Sequence, residues 1–412
     1  MSFPDNFIWG AGASSLSLRG SAVRSSWRRF EELGKQPVSN EGYEFHLSFE
    51  SDLAMLAEAG FRHFRLSIDW ARLEPYAGRH DLEELELLRA IAETARDNGL
   101  ALWISLLDES QPGWFSDDTD GFYGQGVPVH WARYVDRVAE LFDDVATGWI
   151  PMSDPIGAAL RSHLWGSRPP GGRRLDRGLD AVDGMLGSTF EAWRLLSTGS
   201  QPVVGSFGPT LVRERSDSGG SVVAQAPTGL EPDQRSLMAQ PNWWRWLFND
   251  LWLDVIAEGI YRPAWAAPRE CPEWAGAFDM IELVRSGPFA VDPSGALASW
   301  PPTARFDATG TSPDASFVVD VAHDVSERLP KMPLLLGGLH AATNDDEWRE
   351  ALTVGWLEAT TELLDGDLNI AGIFLDPIFD GFHPGVGFEV DTGWFTRGRE
   401  AKPSLRWVTA QQ

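Results

Sequence analysis

The chain has 412 residues, 43% of them hydrophobic, with 20 Trp and 22 Phe. That supply of apolar and aromatic side chains supports a large packed core and argues against a chain dominated by disorder. The formal charge of −26 speaks against nucleic acid and anionic membranes as partners, because both would repel it.

The N-terminal residues carry no basic segment ahead of an apolar run, and no apolar stretch is long enough to span a membrane. A cytoplasmic protein is therefore expected. The one cysteine, Cys271, rules out an intrachain disulfide and reads as an ordinary free thiol in a Pro-rich loop.

In chain order, residues 7–9 read as a first strand. Leu53, Leu56, Ala57 and Ala59 give an apolar helical face, Gly60 ends it, and 63–68 follows as an extended segment. The alternation then repeats. Helices are predicted over 82–98, 129–142, 179–196, 243–258, 315–328 and 346–364. They feed strands at 101–106, 149–152, 203–207, 278–283, 334–336 and 370–375. The predicted fold is α/β, a (β/α)8 TIM barrel forming a single domain over 1–412, with one of the short strand segments expected to fall outside the barrel. An open doubly wound sheet is the alternative, but no glycine-rich phosphate loop follows the first strand. Two segments near 212–240 and 288–313 read as long loops after strand ends, where lids over barrel sites are found.

Several motifs sharpen this reading. The opening Phe3-Pro4-Asp5-Asn6-Phe7-Ile8-Trp9-Gly10-Ala11, the run Arg65-Leu66-Ser67-Ile68-Asp69-Trp70-Ala71-Arg72-Leu73, and Leu164-Trp165-Gly166-Ser167-Arg168-Pro169-Pro170-Gly171 occur in that order. Further echoes lie at Thr343-Asn344-Asp345-Asp346-Glu347 and Lys402-Pro403-Ser404. Together they resemble the family 1 glycoside hydrolases, which include β-glucosidases, β-galactosidases and phospho-β-glycosidases.

The resemblance implies two glutamates, an acid/base after strand 4 and a nucleophile after strand 7, acting through a covalent sugar intermediate. The matching stretches depart from it. Where the family reads W-x-x-x-N-E-P, this chain reads Trp149-Ile150-Pro151-Met152-Ser153-Asp154-Pro155, so Asp154 takes the acid/base position. Where it reads I-T-E-N-G, this chain reads Leu336-Gly337-Gly338-Leu339-His340, which puts Gly338 at the nucleophile position. Glycine supplies neither a nucleophile nor an anion, so ordinary retaining chemistry is not expected.

The sugar-binding positions implied by the resemblance also differ. Y-Q-I-E-G becomes Leu16-Ser17-Leu18-Arg19-Gly20, L-Y-H-W-D becomes Leu106-Leu107-Asp108-Glu109-Ser110, and N-Y-Y becomes Val284-Arg285-Ser286. The strand 8 motif W-S-L-L-D-N-F-E-W becomes Asp376-Pro377-Ile378-Phe379-Asp380-Gly381-Phe382-His383-Pro384. The expected mouth thus carries Asp154, Asp108 and Asp376 as catalytic candidates. Arg19, Arg65, Glu109, Arg285 and His383 are substrate-binding candidates. The eight His form no H-x-x-x-H pair, and neither a metal nor a cofactor is expected. Three readings stay open for the small molecule at the C-terminal face: acid/base chemistry on a non-glycoside, such as a cyclisation, elimination or isomerisation; a non-catalytic binding protein; and an atypical glycosidase with Asp154 as the acid.

Overall fold

A computed structural model describes residues 3–108, 110–124, 127–215, 222–264, 266–284 and 287–412. Eight parallel strands form the central sheet: β1 (Ile8–Ala13), β2 (His63–Ser67), β3 (Ala101–Ser105), β4 (Ala146–Ile150), β5 (Val204–Phe207), β6 (Met280–Val284), β7 (Leu334–Gly337) and β8 (Ile370–Leu375). Strands β1 to β4 and β5 to β8 pair with their sequence neighbours, and β1 also pairs with β8 through Ile8 and Gly372. The last gap closes where Trp149 N donates to Pro202 O at 2.9 Å. The result is a closed (β/α)8 barrel. All eight strand segments read from the sequence lie in it, so the expectation that one falls outside is corrected.

The covering helices start and stop where local chemistry dictates. Helix α1 (Phe45–Glu58) precedes β2, and α2 (Leu82–Asp97) precedes β3. Asp81 caps α2 by accepting from Glu83 N at 3.0 Å and Glu84 N at 3.1 Å, satisfying two of the orphan donors of its first turn. Leu85, Leu88, Ile91, Ala92 and Ala95 then form the buried stripe. Helices α3 (Val127–Phe142), α4 (Leu175–Leu196), α5 (Leu251–Glu258), α6 (Ser316–Arg328) and α7 (Asp346–Asp365) complete the ring. Among the described residues, no helix is long and apolar enough to cross a membrane.

Two packing layers result. The larger lies between strands and helices. The smaller fills the barrel with Ile8, Trp103, Ile150, Val204, Leu335 and Phe374, one each from β1, β3, β4, β5, β7 and β8. Large inward side chains face glycines: a Cβ on Gly10 would collide with the Phe374 ring, and one on Gly12 would lie 2.8 Å from Arg65 Cβ. The two strands that place no fully buried apolar residue in this layer, β2 and β6, supply Arg65 and Glu282 instead.

The segments read as long loops are more ordered than expected. Val212–Glu214, Phe289–Val291, Leu297–Ser299 and Val222–Ala224 pair in that order as a four-stranded sheet beyond the C-terminal ends of β5 and β6. Each strand is three residues long, too short for an alternation signal, and only Phe289–Val291 and Leu297–Ser299 pair with a near neighbour in sequence. The serine- and glycine-rich residues 216–221 lie outside the described residues.

Candidate active site

The C-terminal ends of the strands surround a cavity of about 240 Å³. Arg65 and Ser67 from β2 and Ser105 from β3 line it, with Ser14, Asp108, Ser153, Asp154, Gly338 and Asp376 from the following turns. It shares Arg161, Arg168, His340 and His383 with an outer chamber of about 380 Å³. The apolar wall of that chamber comes from Trp165, Phe248 and Phe289, the last on the small sheet.

Arg65 is deeply buried for a charged lining group, with 5% of its surface exposed. Its guanidinium donates to Glu282 Oε1 through Nη2 and reaches Asp376 Oδ2 at 3.5 Å through Nη1. It also lies 4.4 Å over the Phe374 ring. Burial opposes its charge, but Glu282 and Asp376 outweigh that cost and hold the guanidinium above its ordinary value. A side chain on Gly337 would collide with the Glu282 carboxylate, so the small residue on β7 makes room for the anion on β6.

Asp154 follows β4 with φ 45° and ψ 64°, in the left-handed region that a non-glycine residue enters only when its surroundings compel it. The compulsion is visible. Its Oδ1 accepts from Gly157 N at 3.1 Å, capping the helix Pro155–Ala159, and from Gly208 N at 3.0 Å beyond β5. Its Oδ2 accepts from Arg161 Nη1 at 3.0 Å. The residue is 3% exposed and its side chain is an acceptor in all three contacts, tying the ends of β4 and β5 to the cation that faces both cavities.

Asp108 is held differently. Ser15 N and Ser15 Oγ donate to its two oxygens at 3.2 and 3.4 Å, joining the β3 end to the β1 end. His340 and His383 stand with ring centroids 6.1 Å apart at the junction of the two cavities.

The cavity thus brings together Asp108, Asp154, Asp376, Arg65 and His383 from the sequence-derived set. Arg19 is a correction: it makes a buried two-point pair with Glu84 at 2.6 and 2.8 Å and lines a separate groove beside α2. The helix Ser15–Arg19 turns its last side chain outward toward α2, away from the mouth. Glu109 and Arg285 lie outside the described residues. Sequence reading missed Glu282, His340, Arg161 and Arg168. Glu282 could have been noticed as the one charge in the apolar strand Met280–Val284. Arg168 and His340 stand inside the strand 4 and strand 7 motifs already read, whereas Arg161 stands on a connecting segment where nothing local marks a role.

Comparison with known proteins decides the ancestry of this mouth. Residues 1–262 match the model of Glycosyl hydrolase family 1. The chain belongs to that family. Among family 1 relatives, Beta-glucosidase 5 of Oryza sativa subsp. japonica is 28% identical over 182 residues, 41% of this chain and 35% of that protein. Beta-glucosidase A of Thermotoga maritima is 25% identical over 195 residues, 45% of this chain and 43% of that protein. The aligned part therefore spans less than half the length of these curated relatives. Solved structures align far more fully. A beta-glycosidase from Pyrococcus horikoshii superposes with a TM-score of 0.83 at 21% identity, covering 99% of this chain and 94% of that one. A family 1 β-glucosidase from Thermotoga maritima gives 0.83 at 18%, covering 99% and 98%. At such identities the likeness carries the family 1 fold and leaves the chemistry to the residues present.

Proposed function

We propose that this family 1 barrel is an enzyme whose mouth performs acid/base chemistry on a small molecule other than a simple glycoside. The observation that supports the reading is the lining of the 240 Å³ cavity: Gly338, which the strand 7 motif aligns with the family's nucleophile, shares one space with Asp108, Asp376, His340 and His383. Without a nucleophile there is no covalent sugar intermediate, but proton transfer needs only an acid and a base within reach of one bound molecule.

The roles follow from the hydrogen bonds. Asp154 is spent on two backbone N–H groups and Arg161, so it acts as a positioning anion rather than as the proton donor. Asp376 lies 3.5 Å from Arg65, a longer contact than an optimal charge-assisted bond, and keeps 23% of its side chain exposed. It is the carboxylate best placed to take a proton from a ligand, with Asp108 and the histidines completing the relay. Cyclisation, elimination and isomerisation all need just this exchange of protons.

The saturation of Asp154 also favours a second reading, a barrel that binds its ligand and releases it unchanged. One experiment separates the two. Purified protein is incubated with a cellular extract of polar small molecules, and masses are followed against heat-inactivated protein. Depletion of one compound with appearance of an isomer or a dehydrated product, abolished in Asp376→Asn, supports the enzyme. An unchanged profile with the intact protein overturns it.

A further inference from the structure

The three charged groups at the floor of the mouth come from alternate strands. Glu282 is on β6, Asp376 follows β8, and Arg65 is on β2. The intervening strands, β7 and β1, each place a glycine where these side chains cross. A Cβ on Gly337 would collide with the Glu282 carboxylate, and one on Gly12 would lie 2.8 Å from Arg65 Cβ and 3.4 Å from Asp376 Oδ2. The two clearances let both carboxylates reach one guanidinium. They do not share it equally. Glu282 Oε1 takes Nη2 in the closer contact, and Asp376 Oδ2 reaches Nη1 at 3.5 Å. Glu282 is fully buried beneath the cavity, and its Oε2 has no hydrogen-bond partner among the described residues, so Arg65 carries the neutralisation of that charge.

We infer that Glu282 is a positioning residue for Asp376: by engaging Arg65 from below, it keeps Asp376 able to take a proton from a ligand. A carboxylate in sole possession of a guanidinium resists protonation, because the cation favours its ionised form. A second, buried anion on the same cation works the other way. It draws the guanidinium to itself and adds its own repulsion in a medium that screens poorly. Asp376 is left with the longer contact and with 23% of its side chain open to the mouth. The Phe374 ring, 4.4 Å from the guanidinium, restrains its plane and keeps it from turning toward Asp376. Asp108, Asp154, Arg161, Arg168, His340 and His383 face the same cavity and also bear on the proton affinity of Asp376. They are common to the parent and to every variant of the pair, so a difference between those forms reports Arg65 and Glu282. The inference rests on the reading of Asp376 as the base and adds the residue that sets its strength.

Titration of Asp376 tests it without any turnover. Protein carrying carbon-13 in its aspartate carboxyls is followed by NMR across the carboxylate range, and the Asp376 signal is the one missing from Asp376→Asn. Glu282→Gln keeps an acceptor for Nη2 and removes only the charge, so it should lower the Asp376 pKa by about one unit, a tenfold change in proton affinity. Arg65→Met with Glu282→Leu takes away the cation and its Nη1 contact and leaves apolar surroundings, so it should raise the Asp376 pKa above the parent's. A loosened fold would carry both forms the same way, toward the ordinary carboxylate value, and near-ultraviolet circular dichroism checks for it. Opposite shifts in the two forms support the inference. An Asp376 pKa unmoved or raised in Glu282→Gln, or unmoved or lowered in the double variant, overturns it. Should Glu282→Gln fail to fold, the double variant, which buries no unpaired charge, decides by the sign of its shift. The expected shifts together with an unchanged extract profile would sustain the role of Glu282 and refute only the enzyme. Missing shifts in a protein that does convert a compound would refute the role of Glu282 alone.

Discussion

Arg65 on β2 and Glu282 on β6 meet across the centre of the barrel, four strands apart in either direction around the closed sheet. Their side chains are 6% and 0% exposed. Six apolar side chains from the other six strands pack the same interior. The pair therefore forms the polar diameter of an otherwise apolar layer, and its outer end is the floor of the mouth.

Removing one member should be costly. Glu282→Ala leaves a buried guanidinium with only the longer Asp376 contact, and an unfolding free-energy loss of about 3–5 kcal/mol is expected from urea titration. Replacing both, as Arg65→Met with Glu282→Leu, should recover most of that loss. If the single variant is as stable as the parent, the pair does not have this role.

Asp154→Ala tests whether that side chain positions the mouth. It deletes a helix cap, the tie to Gly208 and the partner of Arg161 at once, so a loss of about 2–4 kcal/mol is expected. Asp376→Asn, with its more exposed side chain, should change stability by less than about 1 kcal/mol. Equal thermal or urea stability of Asp154→Ala and the parent would contradict the positioning role.

Acid should weaken the fold through two buried histidines, partly offset by Asp183, which burial raises to about 6 so that the folded chain takes up its proton first. Burial lowers His63 to about 4, and burial with help from Arg177 lowers His163 to about 4. Trp103 Nε1 donates to His63 Nδ1 at 3.1 Å, a bond that requires the unprotonated nitrogen. Unfolded histidine titrates near 6.5, so the unfolded chain binds more protons between about pH 4 and 6.5. Stability is then full above that window and falls as pH drops through it, by about 1–2 kcal/mol per histidine between pH 7 and 5. Urea unfolding at both pH values should show this loss, reduced in the His63→Gln, His163→Gln double variant. The same loss in the double variant would place the effect elsewhere.

The fold was legible because each αβ unit carries its own local marks. The apolar stripe of α2, its Asp81 cap and the glycine after it fix one helix without reference to the rest. The small sheet was not legible, since its strands are three residues long and Val212–Glu214 finds its partner Phe289–Val291 more than seventy residues away. Motif position placed Asp108, Asp154 and Asp376 around one cavity, because parallel strands deliver their C-terminal turns to one face. It failed at Arg19, whose motif position is right but whose side chain finds Glu84 first. It also failed at Glu282, whose partner stands 217 residues away. Ion pairs of this kind are written in the closure of the barrel, and no window of sequence contains both ends.

The proposed replacement of retaining chemistry is tested most directly by covalent trapping. The protein is incubated with 2,4-dinitrophenyl 2-deoxy-2-fluoro-β-glucoside, which leaves a long-lived glycosyl ester on any carboxylate nucleophile, and its intact mass is measured. With Gly338 at the end of β7, the mass should stay that of the unmodified chain. A glycosyl adduct on Glu282, Asp376 or any other carboxylate of the mouth would contradict it.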